Sequence, residues 1–116
     1  MPKPPEMFVA FTAEFPALAA AWSQIREAGE VGPLDELAQR LLKLAVAVGA
    51  GRDGAVSSAV RKALAAGATP AMMDQVLTLA ASTVGFPAVV AAYSIVRREQ
   101  VKADARKADS SSPEPH

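Results

Sequence analysis

Two arginines, an aspartate and a pair of serines stand out in this chain as side chains whose types and spacing suit chemistry. Arg40 and Arg52 fall on consecutive predicted helices, Asp53 follows Arg52 directly, and Ser57 and Ser58 lie about one helical turn further on. If Arg40 and Arg52 share a pocket, their guanidinium groups would bind a carboxylate or phosphate bidentately. Asp53 would orient Arg52, and the serine hydroxyls would add contacts. The same residues also suit a plainer arrangement, with both arginines as solvated helix-surface charges and Asp53 as a helix cap. Lys62 lies four residues after Ser58, so a Ser–Lys nucleophile pair fits one helical turn. Exposed polar residues on one helix face give that spacing as readily, and serine without a neighbouring base is a poor nucleophile at neutral pH.

The missing residues restrict the chemistry more firmly. There is no cysteine, which excludes disulfides, thiolate catalysis and cysteine metal sites. The only histidine, His116, sits in a polar tail, so no histidine dyad or histidine metal site is expected within one subunit. No Gly-rich phosphate loop or nucleic-acid motif occurs, and no cofactor or metal is expected. Twelve basic residues balance twelve acidic ones, which argues against a general nucleic-acid binder, although Arg97-Arg98 forms a local basic patch. Charges and helix breakers interrupt every apolar stretch, and the N-terminus lacks the pattern of a signal peptide. The expectation is a soluble, cytoplasmic protein with neither nucleic acid nor membrane as partner.

The elements that must position these residues read as helices. Just over half of the 116 residues are apolar, Ala dominates, and no segment alternates as a half-buried strand would. Residues 1–5 are Pro-rich and expected to be flexible; residues 6–101 form the helical domain; residues 102–116 are expected to end as a disordered polar tail. Helices are predicted over Glu6–Glu14 and from Pro16 to about Ala28, the latter with Phe15, Leu18, Trp22 and Ile25 on one face. A third runs over Glu36–Ala50, capped by Asp35, with Leu37, Leu41, Leu44, Ala45 and Val48 as its apolar stripe. Asp53 is expected to cap a fourth helix ending near Gly67, with Val56, Val60, Ala63 and Leu64 inward. Thr69-Pro70 opens the next, which runs to Val84 with Met73, Val76, Leu77 and Ala80 inside. A last helix follows Gly85-Phe86-Pro87, with Val90, Ala91, Ser94, Ile95 and Val101 as packing candidates. Glu27, Glu30, Glu36 and Glu99 read as solvated helix charges. The aromatic residues read as core or interface anchors.

Several of these blocks together resemble the carboxymuconolactone decarboxylase and AhpD-like alkylhydroperoxidase superfamily. The resemblance runs from about Phe15 to Arg98 and rests on Gly32-Pro33-Leu34-Asp35, the run Leu41–Ala50, the block Ala63-Leu64-Ala65-Ala66-Gly67-Ala68-Thr69-Pro70, and Gly85-Phe86-Pro87. It implies an all-α, AhpD-like domain of about five to six helices, assembled as a trimer or as a hexamer of trimers. Many members read Cys-x-x-Cys-x-x-x-His before that Ala-rich block; those positions are Arg52, Ala55 and Ala59 here. The relay glutamate twelve residues before the first cysteine falls on Arg40, and a second histidine of some members falls on Gly54. Only this resemblance implies that Arg40 and Arg52 meet around one pocket. A non-redox subgroup reads His-Ser-His, which becomes Ser57, Ser58 and Ala59.

Thiol peroxidase chemistry needs an attacking thiolate and a resolving thiol, and this chain has neither. The decarboxylase branch instead implies a cofactor-independent enzyme acting on a small organic acid, lactone or related carbonyl compound. Ala59 cannot deliver the proton that a histidine would, so another acid must act or little proton transfer can be needed. The competing expectation is a non-catalytic oligomeric scaffold or small-ligand binding protein. Arg40 and Arg52 facing a pocket with a small anionic ligand would favour the first; an Ala-filled, collapsed site would favour the second.

Overall fold

Helix signals in the sequence translate into six helices and no strand among the described residues, 4–111 of the computed structural model: α1 (Pro4–Glu14), α2 (Pro16–Glu30), α3 (Glu36–Ala50), α4 (Asp53–Ala65), α5 (Pro70–Val84) and α6 (Phe86–Ser111). The protein is all-α. His116 lies outside the described residues, as do most of the N-terminal segment expected to be flexible and the end of the polar tail. The helical stretch continues past the boundary placed at residue 101, because α6 runs on through Lys102 to Ser111.

The chain divides after Pro33 into two compact units. The first holds α1 and α2. The Phe15 amide donates to the Phe11 carbonyl at 2.9 Å, and the two rings lie 5.0 Å apart at 46°. Phe15, Leu18, Trp22 and Ile25, expected on one face of α2, are all exposed, and the helix has no buried residue. Two short helices have too little surface between them to enclose a stripe of large side chains.

The second unit holds α3 to α6 and the core. Asp35 caps α3, its Oδ1 accepting from the Ala38 amide at 2.8 Å. Thr69 caps α5 in the same way, its Oγ1 accepting from the Met72 amide at 3.2 Å, with Pro70 in the first turn. Each such cap satisfies one amide that the helix cannot pair internally. Gly51 ends α3 with φ 67°, a left-handed conformation in which an L side chain is strained. That turn leaves Arg52 as the last extended residue before α4. Arg52, not Asp53, therefore takes the cap position, and it makes no side-chain capping bond. Asp53 becomes the first helical residue, where its charge favours the positive end of the helix.

The stripes predicted on α3, α4 and α5 meet in one cluster: Leu44, Val48, Val56, Val60, Ala63, Met73 and Leu77 are buried, with Leu37, Leu41, Leu64, Val76 and Ala80 packed against it. On α6 the register differs from expectation. Ile95 is buried, but the neighbours it packs with are Ala92 and Val96, while Val90, Ala91, Ser94 and Val101 are exposed. Burying a side chain of the size of Leu or Val stabilises by about 1.5–3 kcal/mol. Leu44, fully buried, should therefore cost about 2–5 kcal/mol when truncated to alanine. Leu42, 55% exposed on the same helix, should cost under about 1 kcal/mol. Urea unfolding followed by circular dichroism checks both, and equal losses would place the core elsewhere.

Candidate functional site

The residues singled out by sequence separate in space by burial. Arg40 is half-buried on α3, and Arg52 and Asp53 are exposed at the start of α4. Among the described residues none of the three has a side-chain ion pair or hydrogen bond. Ala55 is exposed and Ser58 half-buried, whereas Ser57 and Ala59 are both buried at 9% exposure. Ala59 thus packs in the seam that α4 makes with its neighbours, as a small apolar residue does.

Ser57 is where the polar chemistry gathers. Arg98, from α6, donates from Nη2 to Ser57 Oγ at 3.0 Å. The serine oxygen is thereby used as an acceptor, and its own proton remains available to donate. Next to Arg98 on α6 is Glu99, whose side chain is 3% exposed. Three cations surround its carboxylate, each at 3.8 Å: Arg61 Nη1 from α4 on Oε1, and Arg98 Nε and Lys102 Nζ on Oε2. The cations are themselves about half exposed, so their heads stay hydrated while the carboxylate does not. Among the described residues, no donor lies on that carboxylate at hydrogen-bond distance. Its neutralisation comes from surrounding charge rather than from direct hydrogen bonds, the weaker of the two ways to hold a buried carboxylate.

Glu99 therefore corrects the reading of it as a solvated helix charge. The signal was present in the chain. Ala92, Ile95, Val96, Glu99 and Gln100 recur at steps of three and four, so both polar residues fall on the apolar stripe of α6. Arg98 was visible only as part of a basic patch, because its reach to Ser57, 41 positions away in the chain, depends on how α6 packs on α4.

A second polar group involves neighbouring positions of α6. Arg97 donates from Nη1 to Gln100 Oε1 at 2.9 Å and pairs through Nη2 with Asp74 Oδ2 at 3.4 Å. Its guanidinium lies 5.0 Å from the centre of the Tyr93 ring. The Arg97 pKa is held above the ordinary arginine value, most by the Tyr93 side chain and next by the Asp74 carboxylate. The unit also has two open grooves. One of about 760 Å³ lies between α3 and α5 and is apolar, with Leu42, Val46, Met72 and Leu79 in its lining. The other, of about 790 Å³, lies beside the turn from α4 to α5 and the C-terminal half of α6. Neither Arg40 nor Arg52 lines either groove. Among the described residues no cluster of His, Asp or Glu has the arrangement of a metal site.

The charge arrangement implies an asymmetry under mutation. Glu99→Gln removes the partner of all three cations and should destabilise by about 1–3 kcal/mol, less than a fully buried pair because the cations are hydrated. Arg61→Gln leaves two cations on the carboxylate and should cost under about 1 kcal/mol. Urea unfolding at neutral pH compares them; an Arg61→Gln loss as large as that of Glu99→Gln would contradict a shared carboxylate.

Comparisons with known proteins agree with the frame rather than with any one reaction. No curated protein and no solved structure matches the chain. The carboxymuconolactone decarboxylase family matches residues 16–98, which spans α2 to α5 and the first half of α6, including Arg40, Arg52, Ser57, Ala59 and Arg98. With that match covering most of the chain and no cysteine anywhere in it, this protein belongs to the carboxymuconolactone decarboxylase family as a divergent member.

Proposed function

We propose that the chain is a cofactor-independent enzyme of the lyase or isomerase type, acting on a small organic acid, lactone or related carbonyl compound. The observation that carries this reading is the Arg98–Ser57 contact, 3.0 Å long, at a position where the non-redox subgroup has a histidine. A fixed guanidinium there would bind a substrate carboxylate or stabilise an enolate oxygen as charge develops on it. The Ser57 hydroxyl would donate to the same oxygen. Arg40 and Arg52, which replace the family's relay acid and first cysteine, would supply further anion contacts, with Asp53 and Ser58 at the margin. Thiol peroxidase activity has no place in this reading, since its nucleophile is missing from the sequence.

The second reading is an oligomeric scaffold or small-ligand binding protein. It is favoured by the burial of Ala59 and by the position of Arg40 and Arg52, neither of which lines either of the two grooves described. Both readings share assembly into a trimer or a hexamer of trimers. Phe8, Phe11, Leu42, Val46, Leu79 and Phe86 are all about half exposed or more in one chain. That much apolar surface is more than a small monomer ordinarily leaves to water.

Carboxylate binding separates the readings from a chain with no site at the family position. A small dicarboxylate should raise the melting temperature, since a ligand bound only by the folded state stabilises it. Arg98→Ala should abolish the rise, and Arg40→Ala and Arg52→Ala should weaken it. Melting shifts identical in wild type and all three variants would remove the arginines from the site. Light scattering at micromolar concentration should give the mass of a trimer or hexamer, and a persistent folded monomer would contradict the assembly.

A further inference from the structure

The groove beside α6 has a chemistry that the proposed reaction does not use. Arg61, Arg97, Arg106 and Lys107 contribute to its lining with the carboxylate of Asp104, and Arg61 and Arg97 are also paired with Glu99 and Asp74, respectively, outside it. The N-terminal turn of α5, with Thr69 and Pro70, forms another part of the wall. The positive end of that helix adds to the field of the cations. Gln100 also lines the groove, is 7% exposed, and has its Oε1 engaged by Arg97. That contact fixes which end of the amide is which, and it leaves Nε2 as a buried donor with no partner. A buried donor without an acceptor is costly, and an anion is the acceptor that the surrounding charges would also favour.

We propose that this groove is a binding site for a small oxyanion, a phosphate ester or a polycarboxylate. Arg106 and Lys107 hold its charge, and Gln100 donates to it from Nε2 while its Oε1 stays with Arg97. The site draws on the C-terminal half of α6 and on the turn between α4 and α5, and it needs no catalysis; it is linked to Ser57 through Glu99, which pairs with both Arg61 and Arg98.

The test is a titration of the full-length, isotope-labelled protein with inorganic phosphate and, separately, with citrate, each against sodium chloride at equal ionic strength. Amide signals followed by NMR should shift saturably at Gly67–Ala71 and Gln100–Lys107. The stronger of the two anions identifies the class of ligand. The variant Arg106→Gln/Lys107→Gln alters only exposed side chains, and its folding is to be checked by circular dichroism. Its affinity should fall at least about tenfold, the effect of losing charge-assisted contacts. Shifts that match those with chloride, or that persist unchanged in the variant, would overturn the proposal. Saturable shifts confined to residues around Arg52, Ser57 and Arg98 would also overturn it, while leaving the reading of the family site intact. Binding in the groove with no response at Ser57 would do the reverse.

Discussion

The four-helix unit depends on the stripe of α4 that the other helices enclose. Val56, Ser57, Ala59, Val60 and Ala63 are all buried, and they occupy one face at helical spacing. The stripe is narrow because most of its members are small. Small side chains let neighbouring helices approach closely, and Ala59 and Ala63 offer that surface where a histidine or a larger residue would hold them apart. The core residues from other elements, Leu44 of α3, Met73 of α5 and Val96 of α6, are each fully buried in the same cluster. Any gain of volume at Ala59 would therefore act on packing before it could act on chemistry.

Close packing on α4 has an electrostatic consequence. The face of α6 that carries Ala92, Ile95 and Val96 into the core also carries Glu99 inward, because one helical stripe continues through all of them. A carboxylate brought that far from water needs compensation, and Arg61, Arg98 and Lys102 provide it from the rim. Arg98 has a second role in fixing Ser57. The polar contacts of Ser57 are thus a product of how the helices meet.

How much of this could be read in advance follows from the range of each interaction. Local signals worked well: Asp35 and Thr69 cap the helices they precede, and the α3, α4 and α5 stripes form the core. These depend on neighbours three or four positions apart. Asp53 misled because helix capping there depends on the left-handed turn at Gly51, which leaves Arg52 as the last extended residue. The α6 face misled for a different reason. Ala92 and Val96 could be told from Ala91 and Val101 only by continuing the three-and-four spacing through Glu99, a residue whose charge suggested solvent. The Ser57–Arg98 contact joins two helices far apart in the chain, and no periodicity reports such a pairing. Arg40 and Arg52 came from positions in the family frame, and the fold leaves them outside the two grooves described.

The proposed function depends on the guanidinium that Arg98 places on Ser57. Kinetics of wild type against Arg98→Lys test it most directly, with loss of carbon dioxide or of the lactone ring followed across a panel of small oxo acids and lactones. Lysine keeps the charge but loses the planar, two-pronged donor. Wild type should turn over at least one substrate, and kcat should fall by roughly tenfold or more in the variant, with folding unchanged. Equal turnover by the two proteins, or no turnover of any such substrate by wild type that binds carboxylates, would contradict the proposed function.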